Sequence, residues 1–262
     1  TGGDGGVAIS GNDGNDTITV GAGNDTIDGG AGIDTLSFAT AVTQGTSGVA
    51  LDLGTLVNGV SVSSGIAGND KVTNVENIIG SNYNDTLSGD AGANVMSGGG
   101  GNDTIYGGDG ADTLSGGVGN DLLDGGSGFS SLAGGAGNDH LIAGDTSSVV
   151  NLSGKRSDYS ITTSNGVVTV TDNRPNTPDG TDTLEGVNLL QFADTRYFVT
   201  AAANHVNLNG ASQKYNVANS DLVNGTNAAE KFAVAPDTSA LIMAGQGDTV
   251  TLTGAITDYS FS

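Results

Sequence analysis

Gly107-Gly108-Asp109-Gly110-Ala111-Asp112-Thr113-Leu114-Ser115 and, far upstream, Gly29-Gly30-Ala31-Gly32-Ile33-Asp34-Thr35-Leu36-Ser37 share one nine-residue frame. It reads Gly-Gly-x-Gly-x-Asp-x-U-x, where U is a large apolar residue. Seven such windows run without a break from Gly80 to Ile142, and U is Leu87, Met96, Ile105, Leu114, Leu123, Leu132 and Leu141 in turn. Four more run from Gly2 to Ser37. A period this regular belongs to a solenoid, where each repeat buries its apolar residue only by stacking on its neighbours.

The composition agrees. Of 262 residues 46 are Gly, and aromatic residues reach only 5% with no Trp, which is thin for a conventional core. Gly at fixed positions means turns rather than disorder. Twenty-nine acidic residues against seven basic ones give a net charge of −22. That balance argues against nucleic acid, whose binding needs Lys and Arg to release counterions. It also destabilises a compact state by self-repulsion unless cations neutralise it. There is no Cys, so neither disulfides nor thiolate sites arise. No apolar run approaches the ~18 residues of a membrane-spanning helix, and direct membrane insertion is not expected. With no initiating Met and no visible signal peptide, the chain reads as a piece of a longer protein.

Five segments follow from the pattern. Residues 1–37 form a first block, and residues 38–79 are expected to form irregular coils of the same solenoid. In the latter, Val49, Leu51 and Leu53, then Val60 and Val62, alternate with other residues as in half-buried strands. Residues 80–142 form the second block. Residues 143–200 are expected to be an appended β-rich module with a hairpin around Asn165-Gly166. Residues 201–262 hold a degenerate repeat, with Glu230 and Asp248 near its Asp positions. They then start a second hairpin module, since Ser157-Asp158-Tyr159-Ser160 recurs as Thr257-Asp258-Tyr259-Ser260.

Each nonapeptide is read as half a coil: its last three residues make a strand with U inward, and its first six make a turn. Gly at the first, second and fourth positions is expected to supply backbone angles closed to residues with a Cβ and to let carbonyl oxygens converge. Asp at the sixth position adds carboxylate oxygens. Calcium takes roughly six to eight hard oxygen ligands in flexible geometry, and two stacked turns supply about that many. Turns on one side lie two repeats apart. One side of the second block carries Asp85, Asp103, Asp121 and Asp139, each preceded by Asn. The other carries Asn94, Asp112 and Ser130. Three well-formed sites are expected on the first side, with weak or empty ones opposite. In the first block Asp16 pairs with Asp34, while Asp25 faces Val7. Gly99, Gly101, Gly117, Gly119, Gly135 and Gly137 are the expected carbonyl donors of the complete side.

These residues resemble the RTX family, the hemolysin-type calcium-binding repeats of bacterial proteins exported by type I secretion. Val75-Glu76-Asn77-Ile78-Ile79-Gly80-Ser81 looks like a linker that often precedes such blocks. The resemblance covers residues 2–142 closely and 143–262 weakly. It implies an all-β fold, a right-handed parallel β-roll holding several Ca2+ ions, and folding outside a Gram-negative cell after export. The departures are Val7, Asn94 and Ser130.

No catalytic constellation is visible. His140 and His205 are the only histidines and lack a zinc-binding motif around them, so they read as surface residues. No Gly-x-Ser-x-Gly elbow and no phosphate-binding Gly-Lys-Ser/Thr ending occurs. Phe129 stands at an outer turn position, where local packing or a subunit contact is expected. The favoured reading is a calcium-dependent structural or assembly module of a surface-layer, adhesin or matrix protein, self-associating into an array. The alternatives are the non-catalytic tail of a secreted protease, lipase or epimerase, and a fragment of a pore-forming toxin.

Overall fold

The computed structural model describes residues 5–21, 23–40, 48–54, 61–62, 64–65, 68–145, 147–164, 167–175 and 179–199. Beyond residue 200 it describes only the backbone strands at 205–207, 214–217, 222–224, 231–234, 241–243 and 249–252. The expectations for Gly2 to Asp4, Val60, Asn165-Gly166, Glu230, Asp248 and the second hairpin copy lie outside the described residues.

The chain is all-β, with one short 3-10 turn at Arg156–Asp158. Two stacks of parallel strands alternate along the sequence. In the front stack, Thr86–Ser88, Thr104–Tyr106, Leu122–Asp124 and His140–Ile142 pair in parallel, so that Leu87, Ile105, Leu123 and Leu141 lie side by side. In the rear stack, Val95–Gly100, Thr113–Val118 and Ser131–Ala136 align Met96, Leu114 and Leu132 in the same way. Paired strands are separated by two nonapeptides because each coil takes two of them. Every one of these U side chains is at most 1% exposed. Burying each contributes roughly 1.5–3 kcal/mol, so the core is a double column of single side chains.

The segment 38–79 treats the two stacks differently. The rear sheet steps from Thr35–Ser37 directly to Asn77–Ile79 and on to the 95–100 strand, so most of the segment loops out of it. The front strands are interrupted instead. Lys71–Thr73 extends the Thr26–Asp28 side, and Val49–Asp52 extends the Thr86–Ser88 side. Two short antiparallel strands, Ser61–Val62 and Ser64–Gly65, lie between them.

Strand pairing in both sheets continues past residue 142. Val149–Asn151 and Leu189–Gln191 continue the rear sheet, and Thr181–Glu185 pairs in parallel with His140–Ile142. The hairpin of Tyr159–Ser164 and Val167–Asp172 is therefore inserted within the roll. Its second strand pairs antiparallel with Thr181–Glu185. The rear sheet ends likewise on the antiparallel strand Arg196–Phe198. Parallel stacking is thus closed on both faces, the capping that a solenoid end needs. A polar network fixes the cap. Tyr159 Oη hydrogen-bonds with Asp179, and the Gly154 N–H donates to Tyr159 Oη at 2.8 Å. Arg174 donates to Ser153 Oγ at 2.8 Å and to the buried Asp172 carboxylate at 2.7 Å. The Arg156 guanidinium lies 4.6 Å from the centre of the Tyr197 ring, a cation–π contact.

Past residue 200, His205–Asn207, Leu222–Asn224 and Leu241–Met243 form one parallel sheet, and Lys214–Val217, Lys231–Val234 and Thr249–Leu252 another.

The one-sided core makes a direct prediction. Leu123→Ala empties a place in the column between Ile105 and Leu141 and should cost about 2–5 kcal/mol. Val118→Ala, at a side chain 65% exposed, should change stability by no more than about 0.5 kcal/mol. Denaturant melts of both variants at saturating calcium check the contrast.

Candidate metal centre

Two hydrogen-bonded ladders run along the turns in opposite directions. The Asp at repeat position six reaches back one coil. The N–H of Asp85 donates to Asp103 Oδ1 at 2.7 Å, that of Asp103 to Asp121 Oδ1 at 2.8 Å, and that of Asp121 to Asp139 Oδ1 at 2.9 Å. The Asn at position five reaches forward. Asn84, Asn102 and Asn120 accept the N–H groups of Asn102, Asn120 and Asn138 at 2.7, 2.8 and 2.7 Å. An amide oxygen gives the turn an acceptor without adding charge beside the carboxylate column. That is a physical reason for the Asn-Asp pairs.

The Asp ladder uses only one carboxylate oxygen. Oδ2 of Asp16, Asp25, Asp34, Asp103, Asp112, Asp121 and Asp139 is buried and has no hydrogen-bond partner. A buried acceptor without a donor costs about 1–3 kcal/mol, and more when charged. Seven in one small domain call for a cation. The surroundings fit one that seeks oxygen. A Cβ on Gly116 would press on Asp121 Oδ2 and stand 2.5 Å from the Gly134 carbonyl oxygen; at Gly98 it would press on Asp103 Oδ2, 2.7 Å from the Gly116 carbonyl oxygen. Among the described residues no group of three or more His, Cys, Asp or Glu could hold an ion. Carboxylates therefore supply a minority of the ligands, and backbone carbonyls are needed for the rest. An open groove of about 550 Å3 on the front face is lined in part by Asp103, Asp121 and Asp139.

The glycines divide their roles differently from the expectation. Positions two and four have positive φ in most described repeats, as at Gly135 (108°) and Gly137 (138°), where a Cβ would also strike the carbonyl oxygen of the preceding coil. Gly99, Gly117 and Gly119 share that geometry, and Gly101 shares the positive φ. The first position has no positive φ in any described repeat. At Gly98 and Gly116 the glycine leaves space beside the turn's own Asp carboxylate rather than supplying a backbone angle, and Val20 holds this position in the turn of Asp25. Asn12 occupies the second position of its repeat at φ 71°, a conformation Asn tolerates better than other side chains.

Not every turn keeps the free oxygen. Asp85 has both oxygens engaged: Oδ2 accepts the Ser81 N–H at 2.6 Å, and Oδ1 accepts the Ser81 hydroxyl at 2.8 Å and the Val49 N–H at 2.6 Å. Ser81, at the second glycine position, does this. On the rear side, Asn94 Nδ2 donates to the Glu76 carbonyl at 2.7 Å, and Ser130 Oγ donates to the Gly125 carbonyl at 3.1 Å. These two side chains satisfy their turns with their own protons. Asp112 keeps its free oxygen between them. In the first block, the Asp16 N–H donates to Asp34 Oδ1 at 2.8 Å, and the Val7 N–H to Asp25 Oδ1 at 2.9 Å. The Asp25 N–H continues to Asp70 Oδ1 at 2.8 Å, in the partial repeat Gly68-Asn69-Asp70-Lys71-Val72-Thr73. His140 lies on the outer face, 3.0 Å from Glu185.

Without metal, burial pushes the carboxyls upward from an ordinary value of 3.8. Asp103 reaches about 7 and Asp139 about 6, while Asp85, Asp112 and Asp121 are raised, all against the lowering effect of the N–H groups they accept.

The RTX calcium-binding nonapeptide repeat family matches the chain in four copies, over residues 1–36, 79–114, 97–132 and 115–147. No curated protein matches the chain. Those segments match repeats of a calcium-binding type, which hold several Ca2+ ions per array and mark a secreted protein. Among the described residues no helix is long and apolar enough to cross a membrane.

The raised carboxyls fix the sign of a pH effect. The metal-free roll holds protons above pH 3.8 that the unfolded chain has lost, so its stability falls as pH rises through about 6–7. Calcium requires those protons to leave, so its stabilisation grows over the same range. Thermal melts at pH 5 and pH 8 should show the chelated protein melting lower at pH 8 and the calcium-loaded protein melting higher there. A second contrast concerns the two sides. Asp121 lies in the column with the free carboxylate oxygens of Asp103 and Asp139, whereas Asp112 lies between Asn94 and Ser130. Asp121→Ala should lower calcium-saturated stability several times more than Asp112→Ala, as read from denaturant midpoints.

Proposed function

We propose that this chain is a calcium-dependent structural and assembly module of a secreted or cell-surface protein, of the surface-layer, adhesin or matrix kind, exported unfolded by the type I route. The observation that carries this reading is the column of buried carboxylate oxygens that lack a donor. A roll built this way is held open by like charges where calcium is scarce and closes where calcium is abundant, which is outside the cell. The buried acids Asp25, Asp34, Asp70, Asp85, Asp103, Asp112, Asp121, Asp139 and Asp182 belong to the ladders, and Asp172 and Asp179 to the cap. Their structural engagement supports a module without a catalytic site of its own.

Assembly follows from charge and surface. Calcium removes much of the repulsion implied by a net charge of −22. The capped end directs association to the flanks of the roll, where Ile33, Val95, Val118 and Phe129 are exposed apolar side chains. The parallel strands beyond residue 200 support a chain built of coiled units in series.

Two measurements test this. Circular dichroism during a calcium titration of the chelated chain at pH 8 should show β signal gained with calcium; full signal in chelator contradicts the folding role. Light scattering should show assemblies at millimolar calcium and smaller particles in chelator. A monodisperse monomer in both conditions contradicts the assembly role and favours the tail of a secreted enzyme.

A further inference from the structure

The family match ends at residue 147, yet the Asp ladder does not. The Asp139 N–H donates to Asp182 Oδ1 at 3.0 Å, although the two are 43 residues apart in sequence and the hairpin lies between them. The Asn ladder continues as well, with the Thr181 N–H donating to Asn138 Oδ1 at 2.8 Å. Gly180 has a φ of +66°, and a Cβ there would strike the Gly137 carbonyl oxygen, just as one on Gly137 would strike that of Gly119. Thr183 and Leu184 then pair with His140 and Leu141 in the register of the earlier coils. Asp182 is 3% exposed, and Asp139, 2% exposed, keeps a buried Oδ2 without a hydrogen-bond partner. In sequence, Thr177-Pro178-Asp179-Gly180-Thr181-Asp182 keeps only the fourth-position Gly and the sixth-position Asp of the turn.

We infer that the turn ending at Asp182 stacks on the turn of Asp139 to form a further calcium site, one that closes the inserted hairpin onto the roll. This rests on the calcium reading of the repeats and extends it beyond them. The ligand class is a hard divalent cation, because the groups brought together are carboxylate and carbonyl oxygens. The one nearby imidazole, His140, is engaged with Glu185 on the outer face.

The site has a consequence for the cap. Asp179 belongs to the same turn, and it accepts the Ser153 N–H at 2.9 Å and the Ser153 hydroxyl at 2.6 Å and hydrogen-bonds with Tyr159 Oη. Arg174 lies 3.2 Å from its other carboxylate oxygen. An ion that fixes Gly180 to Asp182 therefore fixes Asp179, and through it the Tyr159 and Arg174 network. The last calcium is the clasp of the cap.

The experiment uses the full chain and calcium alone. Asp182→Asn keeps an oxygen to accept the Asp139 N–H but removes the charge. Calcium per chain is counted by native mass spectrometry and by isothermal titration, with near-ultraviolet circular dichroism reporting the tyrosines of the cap. Asp121→Asn serves as reference. The expected result is one calcium fewer for Asp182→Asn, with the tyrosine signal reaching its final value at higher calcium than in the unmodified chain. An unchanged calcium number and affinity in Asp182→Asn, with a loss in Asp121→Asn, overturns this site and leaves the calcium roll standing. No loss in either variant overturns the calcium reading itself. If Asp182→Asn does not fold, Asp182→Ser decides by the same counts, because Ser130 occupies the equivalent position in a built turn of this roll.

Discussion

Everything in this structure depends on an asymmetry within one carboxylate. Each ladder Asp commits Oδ1 to the backbone N–H of the coil before it, and that bond sets the stacking of turns. Geometry then leaves Oδ2 of Asp25, Asp34, Asp103, Asp112, Asp121 and Asp139 facing the crowded glycine turn, buried and without a donor. The hydrogen bond that builds the coil thus creates the need that a cation meets. Short strands of three to six residues, each contributing one large buried apolar side chain, have little capacity to hold such charges together. Metal binding energy therefore becomes folding energy, as in other small domains whose sites do not exist in the unfolded chain.

The departures from the repeat follow the same constraint. A turn can meet its need for positive charge with an ion or with protons of its own. Asn94 and Ser130 take the second course by donating to carbonyl oxygens, and Ser81 does so for Asp85 by donating to its carboxylate. The rear side is in part a neutral seam held by ordinary hydrogen bonds, while the front side carries the continuous charged column from Asp103 to Asp182. The insertions fall where they disturb this least: residues 38–76 leave the rear sheet continuous, and the hairpin returns the chain to the front ladder at Asp182.

The apolar column and most of the carboxylate column were legible in the sequence. Both repeat at a fixed interval, and a fixed interval translates directly into a register of one coil per two repeats. What was not legible lacked periodicity. Asp182 rejoins the ladder after an insertion that erases the count. The cap brings Ser153, Tyr159, Arg174 and Asp179 together from positions with no common spacing. The roles of the glycines were legible only as a set. All three are invariant in the cleanest repeats, but one is fixed by steric room beside a carboxylate and two by positive φ and close approach to a carbonyl. The Asn before each Asp was visible, yet its purpose needed the neighbouring coil, because the N–H it accepts belongs to the next turn on the same side.

The central claim is that cations occupy the oxygen-lined spaces beside the free carboxylate oxygens. The most direct test is anomalous diffraction from crystals grown in calcium. The account predicts anomalous peaks about 2.3–2.6 Å from Oδ2 of Asp103, Asp121 and Asp139, the range of calcium–oxygen contacts, with backbone carbonyls completing each shell. Ordered coils in which those oxygens meet only water or protein donors, with no anomalous peak beside them, would contradict it.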